Sequence, residues 1–117
     1  MRIVRYSHQG DVGFGVHEDE TVAAIGPHGL AQRDVDHWAV HPGGPEIVDR
    51  VQRRLGLSDA QAARSREVLA DGGNRSSATV LFILEQLLAG GEVDPGQWIV
   101  VLAFGTGLTL EALLLQA

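Results

Sequence analysis

The sequence contains no cysteine, and this absence restricts its chemistry more than any other feature of its composition. Without a thiol, the chain offers no disulfide, no thiolate metal site and no cysteine nucleophile. Basic residues are also few, because 9 Lys and Arg stand against 15 Asp and Glu, for a formal net charge of −6. This balance argues against a nucleic-acid partner, since phosphate binding requires clustered positive charge.

Long apolar runs are absent as well. No stretch approaches the roughly 18 apolar residues that a membrane-spanning helix requires, and the first residues, MRIVRYSHQG, lack the apolar core of a secretory signal. We therefore expect a cytoplasmic protein with no membrane partner. The chain has 117 residues, of which 44% are hydrophobic, and this length favours one packed domain over residues 1–117.

The hydrophobic pattern predicts an α/β fold with the element order β-β-α-β-α-α-α-β-β. Residues 1–18 alternate as a β-hairpin does, and a short helix is expected at residues 19–25, so both belong to the N-terminal region 1–25. HWAVH predicts a strand, three helices follow between Pro45 and Gly90, and the last two strands, WIVVLAFG and LTLEALLLQ, are expected to pair. The expected outcome is one mixed sheet with helices packed on it.

Two segments have more specific predictions. The strand WIVVLAFG is continuously apolar and should be covered on both faces. The helix that contains TVLFILEQLL is apolar on nearly every side and should be buried. Ser58 is expected to cap the second helix, and Ser76 or Ser77 the third.

Small and polar residues at element ends mark the candidate site, in AVHPGGP, GGNRSSA and FGTGLT. Asn74 precedes a helix whose first N–H groups lack partners, and its amide is suited to donate to a carbonyl oxygen. The His41 imidazole offers a second donor, and two donors on one oxygen form an oxyanion site. The alternatives are a turn histidine bonded to the backbone and an asparagine that only caps a helix. His37 and His41 lie about 13 Å apart along a strand, so no metal site is expected.

Three longer segments, WAVHPGGPEIVDRV, SREVLADGGNRSSATVLFILEQL and LAFGTGLTLEALLL, resemble the C-terminal half of type III polyketide synthases, the chalcone synthase family. The resemblance covers residues 28–117. It implies a thiolase-like half-domain in a homodimer and a Cys-His-Asn triad, in which the cysteine carries the acyl chain. The histidine and asparagine, matched here by His41 and Asn74, stabilise the anion formed when malonyl-CoA loses carbon dioxide.

The same resemblance implies a set of substrate-binding residues. Gly43 and Gly44 match the turn near the family's coenzyme A tunnel, while Gly105 and Gly107 match the loop that shapes the cavity. The residues beside these motifs complete the predicted substrate-binding set, and they are Arg75, Ser76, Phe104 and Thr106. Arg75 replaces the family's usual methionine and Thr106 its usual proline.

These features together predict a truncated type III polyketide synthase-like protein with a His-Asn dyad and no cysteine. Its substrates would be coenzyme A thioesters or poly-β-keto intermediates, and its reactions decarboxylation, support of condensation or cyclisation. Apolar surfaces around residues 80–88 and 98–115 predict a homodimer or a complex with a cysteine-bearing synthase subunit. Two alternatives remain: a non-catalytic partner of such a synthase, or a small hydrolase or isomerase that uses the same dyad.

Overall fold

The fold is taken from a computed structural model that describes residues 2–6, 34–107 and 109–117. The strands are β1 (Arg2–Tyr6), β2 (His37–Val40), β3 (Trp98–Gly105) and β4 (Thr109–Gln116). The helices are α1 (Pro45–Leu55), α2 (Asp59–Gly72) and α3 (Thr79–Ala89), and a 3₁₀ turn, Ser76–Ala78, precedes α3. The predicted second strand of the N-terminal hairpin and the predicted helix at 19–25 lie outside the described residues.

One mixed sheet organises the described residues, with the strand order β1-β4-β3-β2. β2 runs parallel to β3, and Val40 is opposite Leu102. β3 and β4 form an antiparallel hairpin in which Gly105 is opposite Thr109, so the predicted pairing of the last two strands is confirmed. β1 adds to the other edge of β4 in antiparallel orientation.

Helices cover both faces of this sheet. On one face, Trp38, Val40, Val100 and Leu102 belong to a cluster that also contacts Val51 and Leu55 of α1. On the other face, the sheet packs against Val68 of α2 and against Ile83 and Leu87 of α3. The sheet residues of this second cluster are Ala39, Ile99, Val101 and Leu115. The mixed α/β architecture and the two-sided burial of β3 are therefore confirmed.

One of the two predicted helix caps is present in the structure. Ser58 caps α2 in a complete capping box with Gln61, as predicted. The predicted cap of α3 by Ser76 or Ser77 is wrong, because neither the 3₁₀ turn nor α3 has a side-chain cap bond at its start. The hydroxyl that meets the backbone there belongs to Thr79, whose buried Oγ1 accepts from the Arg75 N–H at 2.7 Å.

The burial of α3 also differs from the prediction. The helix buries Ile83 and Leu87, while Leu81 is 63% exposed and Leu88 44% exposed. A helix that lies on one face of a sheet buries a stripe rather than its whole circumference. Across residues 34–107 and 109–117, the structure contains no helix with the length and apolar content needed to cross a membrane.

A hydrogen bond from the edge strand β2 to Ser65 of α2 can be tested by mutation. Its fully buried Oγ accepts the Val40 N–H at 3.0 Å, which links α2 to the strand that leads into the candidate site. Ser65→Ala leaves this N–H without its partner, so we expect the free energy of unfolding to fall by about 1–3 kcal/mol. Denaturant titration measures this, with the exposed Ser77→Ala as matched control. Equal stability of the two variants would show that the bond contributes nothing.

Candidate functional site

The candidate site lies where the parallel strands β2 and β3 end. His41 follows β2 directly, and its N–H donates to Leu102 O of β3 at 2.7 Å. Because the two strands are parallel, the turn between β3 and β4 is at the same end of the sheet. The carboxyl ends of strands in layered α/β proteins are the common location of ligand sites.

The His41 side chain is turned into the protein. The residue is 7% exposed, and Nε2 lies 2.9 Å from Ser76 O. A carbonyl oxygen only accepts hydrogen bonds, so Nε2 carries the proton in this contact. In the neutral imidazole Nδ1 is then an acceptor, and it is buried with no hydrogen-bond partner among the described residues.

Asn74 connects the two loops that carry the candidate dyad. It follows Gly73, the residue that closes α2 with a φ of 68°. Asn74 Oδ1 accepts the Ser76 N–H at 2.8 Å, as asparagine does in a tight turn of its own backbone. Asn74 Nδ2 donates to Gly43 O at 3.2 Å, and this bond spans 31 residues of sequence.

These contacts form a closed ring of hydrogen bonds, which we call the His-Asn ring. His41 donates to Ser76 O, the Ser76 N–H to Asn74, Asn74 to Gly43 O, and the Gly43 N–H to His41 O at 3.1 Å. The structure thus brings the loops of His41 and Asn74 together. Each side chain donates to a backbone carbonyl of the other loop, so both donors are held in defined orientations.

The ring places its strain at Ser76. This residue has a φ of 59°, the left-handed value, and no other non-glycine residue in the described ranges has a positive φ. A side chain in this region costs roughly 1–2 kcal/mol. Strained residues persist where surrounding contacts determine their conformation, and such residues cluster at functional sites. Here both backbone polar groups of Ser76 are held by the ring.

Ser76→Gly tests that strain. Glycine keeps both backbone groups and removes the Cβ, so we expect the free energy of unfolding to rise by up to about 1 kcal/mol. Ser77→Gly is the matched control, because Ser77 lies within the 3₁₀ turn and has no positive φ. Glycine there is expected to destabilise by about 0.5–1 kcal/mol. Thermal and urea unfolding compare the pair, and a loss of stability in both variants would contradict the strain assignment.

The other predicted substrate-binding residues lie in different parts of the fold. Gly44 is extended and precedes α1, whose first residue is a proline. Arg75 turns back, with Nε 3.3 Å from Gly72 O and its guanidinium 4.7 Å from the centre of the Phe82 ring. Phe104 packs against the cluster beneath α1, on the other face of the sheet from α3.

The predicted cavity loop is the β3–β4 turn. Gly105 ends β3, Gly107 has a φ of 73°, and Thr109 Oγ1 donates to Thr106 O at 3.0 Å. The turn and the His-Asn ring therefore share one end of the sheet. In the described ranges, no group of three His, Asp or Glu side chains is placed to hold a metal ion.

Sequence reasoning missed two residues that support the site and did not foresee how a third, Ser76, contributes. Thr79 and Ser65 were overlooked because a hydroxyl inside an apolar or small-residue helix face gives no local signal of a distant backbone partner. Ser76 was considered for its side chain, whereas the ring uses its backbone groups. A left-handed serine is recognisable only once the ring that holds it is known.

Comparisons with known proteins identify the family of the chain. A family model described as chalcone and stilbene synthases, C-terminal domain, matches residues 16–117. The curated Type III polyketide synthase B of Arabidopsis thaliana is 39% identical over an alignment of 98 residues, and the match covers 77% of this chain and 25% of that protein. The predicted resemblance is thereby confirmed.

Solved structures give the same result. PKS-I from the brown alga Ectocarpus siliculosus is 40% identical with a TM-score of 0.67, over 77% of this chain and 26% of that one. CsyB, solved in complex with CoA-SH, is 36% identical with a TM-score of 0.64, over 74% of this chain and 23% of that one. The chain thus spans about a quarter of the length of the relatives that it matches.

Proposed function

The chain belongs to the chalcone and stilbene synthase family, and on that premise we propose that it binds acyl or malonyl thioesters of coenzyme A and polarises their carbonyl with His41 and Asn74. The observation that carries this proposal is the His-Asn ring, which presents two side-chain N–H donors from neighbouring loops. A relative solved with CoA-SH supports coenzyme A as the carrier of the substrate.

The thioester oxygen takes the place of an internal carbonyl in this proposal. In the free protein, Ser76 O accepts from the His41 imidazole. A substrate carbonyl that replaces Ser76 O receives the same N–H, and the second N–H of the Asn74 amide provides another donor. Donors oriented before the reaction stabilise developing negative charge without a reorganisation cost.

Decarboxylation of malonyl-CoA is the reaction that suits such donors. The bond between the carboxylate carbon and the methylene carbon breaks, and its electron pair forms the enolate of acetyl-CoA. The negative charge then lies on the thioester oxygen, where His41 and Asn74 donate. A proton from water converts the enolate into acetyl-CoA, and carbon dioxide leaves. No cysteine takes part in this sequence of steps.

Condensation requires an acyl group on a thiol, which these 117 residues do not contain. We therefore propose that a cysteine-bearing synthase subunit supplies the acyl thioester wherever the chain supports condensation. The exposed Leu81 and Leu88, seven residues apart on α3, support an association of this kind, because a partner would remove both side chains from water.

Incubation of the purified chain with malonyl-CoA tests the catalytic proposal, with acetyl-CoA measured by liquid chromatography and mass spectrometry. We expect acetyl-CoA to form faster than in buffer. Malonate without coenzyme A is the control substrate and should not react. Conversion of malonyl-CoA at the buffer rate, with no detectable binding of acetyl-CoA by calorimetry, would refute the proposal.

A second candidate is a non-catalytic assembly partner of a cysteine-bearing synthase. The exposed leucines of α3 favour it independently of the His-Asn ring. Light scattering after size-exclusion chromatography, of the chain alone and mixed with a family synthase, distinguishes the two candidates. A stable complex without acetyl-CoA formation would favour the assembly role, and a monomer that does not bind the synthase would exclude it.

A further inference from the structure

A groove with an apolar floor lies on the α1 face of the sheet, separate from the side-chain contacts of the His-Asn ring. Its volume is about 210 Å³, and its floor consists of Val51, Leu55, Leu102, Phe104 and Leu110. Leu102 is buried, while the other four side chains are only partly buried and pack at the margin of the core cluster. The floor thus offers apolar surface that the described fold leaves accessible.

Two arginines line the rim of this groove, and a third lies beside it. Arg50 and Arg54 border the apolar floor, and together with Arg53 they line a shallower depression beside it. These three are one third of the 9 basic residues of a chain whose net charge is −6. Positive charge is therefore concentrated at the edge of an apolar groove on an otherwise acidic protein.

Two of these arginines have free guanidinium groups. Arg50 is paired with Glu46 one turn earlier on α1, and both are largely exposed. Asp49, the other acid of α1, is paired with Arg66 of α2. Arg53 and Arg54 have no ion pair or hydrogen bond to a carboxylate within the described ranges. Their charge is available to a ligand.

We propose that this groove binds a medium-chain alkyl carboxylate, with the chain on the apolar floor and the carboxylate against Arg53 and Arg54. The floor removes methylene groups from water, which is favourable in proportion to the apolar area buried. Guanidinium groups form planar, charge-assisted hydrogen bonds with carboxylates, and two neighbouring arginines fix the head group at one end. An uncharged apolar molecule would contact only the floor, and a small anion would contact only the arginines.

The groove is distinct from the site proposed for thioesters. Its floor belongs to the cluster that includes Val51 and Leu55 of α1, whereas His41 donates to Ser76, in the 3₁₀ turn before α3. The core residues of α3 pack on the opposite face of the sheet. The inference therefore does not depend on thioester chemistry, and the two proposals can fail separately.

Titration of the whole chain with decanoate tests the proposal, with affinity measured by calorimetry and position by NMR shifts of the α1 amides. 1-Decanol has the same chain without the charge, and butyrate has the charge with little chain. We expect the affinity of each control to be at least about tenfold lower than that of decanoate. Decanol that binds as tightly as decanoate, or no decanoate binding at all, would overturn the proposal. So would decyl phosphate that binds tenfold more tightly than decanoate.

Variants locate the binding. Arg53→Gln with Arg54→Gln should weaken decanoate binding about tenfold, whereas lysine at both positions keeps the charge and should retain most of the affinity. Val51→Phe fills the groove and should abolish binding while the arginines remain. Arg64→Gln, which removes an arginine of α2 paired with Glu67, is the control and should bind as wild type does. Circular dichroism verifies that each variant is folded. Full affinity in the double Gln variant or in Val51→Phe would contradict the site.

Discussion

His41→Ala is expected to lower the rate of malonyl-CoA decarboxylation by about 10²- to 10³-fold, the usual effect of removing one donor from an oxyanion site. The reason is geometric. His41 holds its Nε2 proton 2.9 Å from a carbonyl oxygen, in a residue that is almost fully buried. A buried donor loses less of its strength to water than an exposed one. Acetyl-CoA formation under saturating malonyl-CoA measures the change.

The matched control is the other histidine of this strand region. His37 begins β2, and its Nε2 is within 2.9 Å of Gln97 Oε1, at the opposite end of the strand from the His-Asn ring. His37→Ala should therefore keep the decarboxylation rate within about twofold of wild type, since it removes no donor from an oxyanion site. Asn74→Ala should be slower than wild type, because it removes the second donor and also the bond to Gly43. Equal rates for wild type, His41→Ala and Asn74→Ala would exclude the dyad as the source of activity.

The second large effect concerns stability. Ile83→Ala is expected to lower the free energy of unfolding by about 2–5 kcal/mol, because it leaves a cavity in the core between α3 and the sheet. Ile83 is 0% exposed and belongs to the cluster that contains Ala39, Ile99 and Val101. Urea denaturation monitored by circular dichroism gives the difference.

Leu81→Ala on the same helix is the control. Leu81 is 63% exposed, so its truncation should change the stability of the free chain by no more than about 0.5 kcal/mol. If the chain associates through α3, the same substitution should weaken the complex while it spares the monomer. Comparable destabilisation by the two substitutions would mean that Leu81 is buried in the protein as it exists in solution, and the assigned faces of α3 would be wrong.

The elements of the described fold follow from local signals in the sequence. WIVVLAFG is continuously apolar, and β3 is indeed covered on both faces. Ser58 and Gln61 have the spacing of a capping box, and the structure forms it. The capping box succeeds because its two residues are only three positions apart, and the strand prediction succeeds because a continuously apolar strand is favourable only where both faces are covered.

The failures share a physical cause. Because α3 is apolar on nearly every side, the sequence predicted that it is buried on all sides. How many elements pack against a helix, however, is decided by the whole assembly and not by the helix itself. Leu81 and Leu88 are therefore exposed in this chain. The predicted cap by Ser76 or Ser77 does not form. Instead, Asn74 Oδ1 accepts the Ser76 N–H and Thr79 Oγ1 accepts the Arg75 N–H.

The candidate site was predictable in outline only. His41 and Asn74 could be chosen from their motifs, and the parallel pairing of β2 with β3 places the first of them at the appropriate end of the sheet. The acceptors of their hydrogen bonds could not be chosen. The bond from His41 to Ser76 spans 35 residues and that from Asn74 to Gly43 spans 31, so the ring exists only after the helices have packed.

Nitrogen-15 NMR of the His41 imidazole tests the central claim most directly, that His41 holds a proton on Nε2 for a carbonyl oxygen. The free protein should show Nε2 protonated and Nδ1 unprotonated, and His41→Ala assigns the signals. Acetyl-CoA should shift the Nε2 signal as the thioester oxygen replaces Ser76 O, while coenzyme A without an acyl group should leave it in place. A proton on Nδ1 instead of Nε2, or identical spectra with both ligands, would contradict the proposed role of His41.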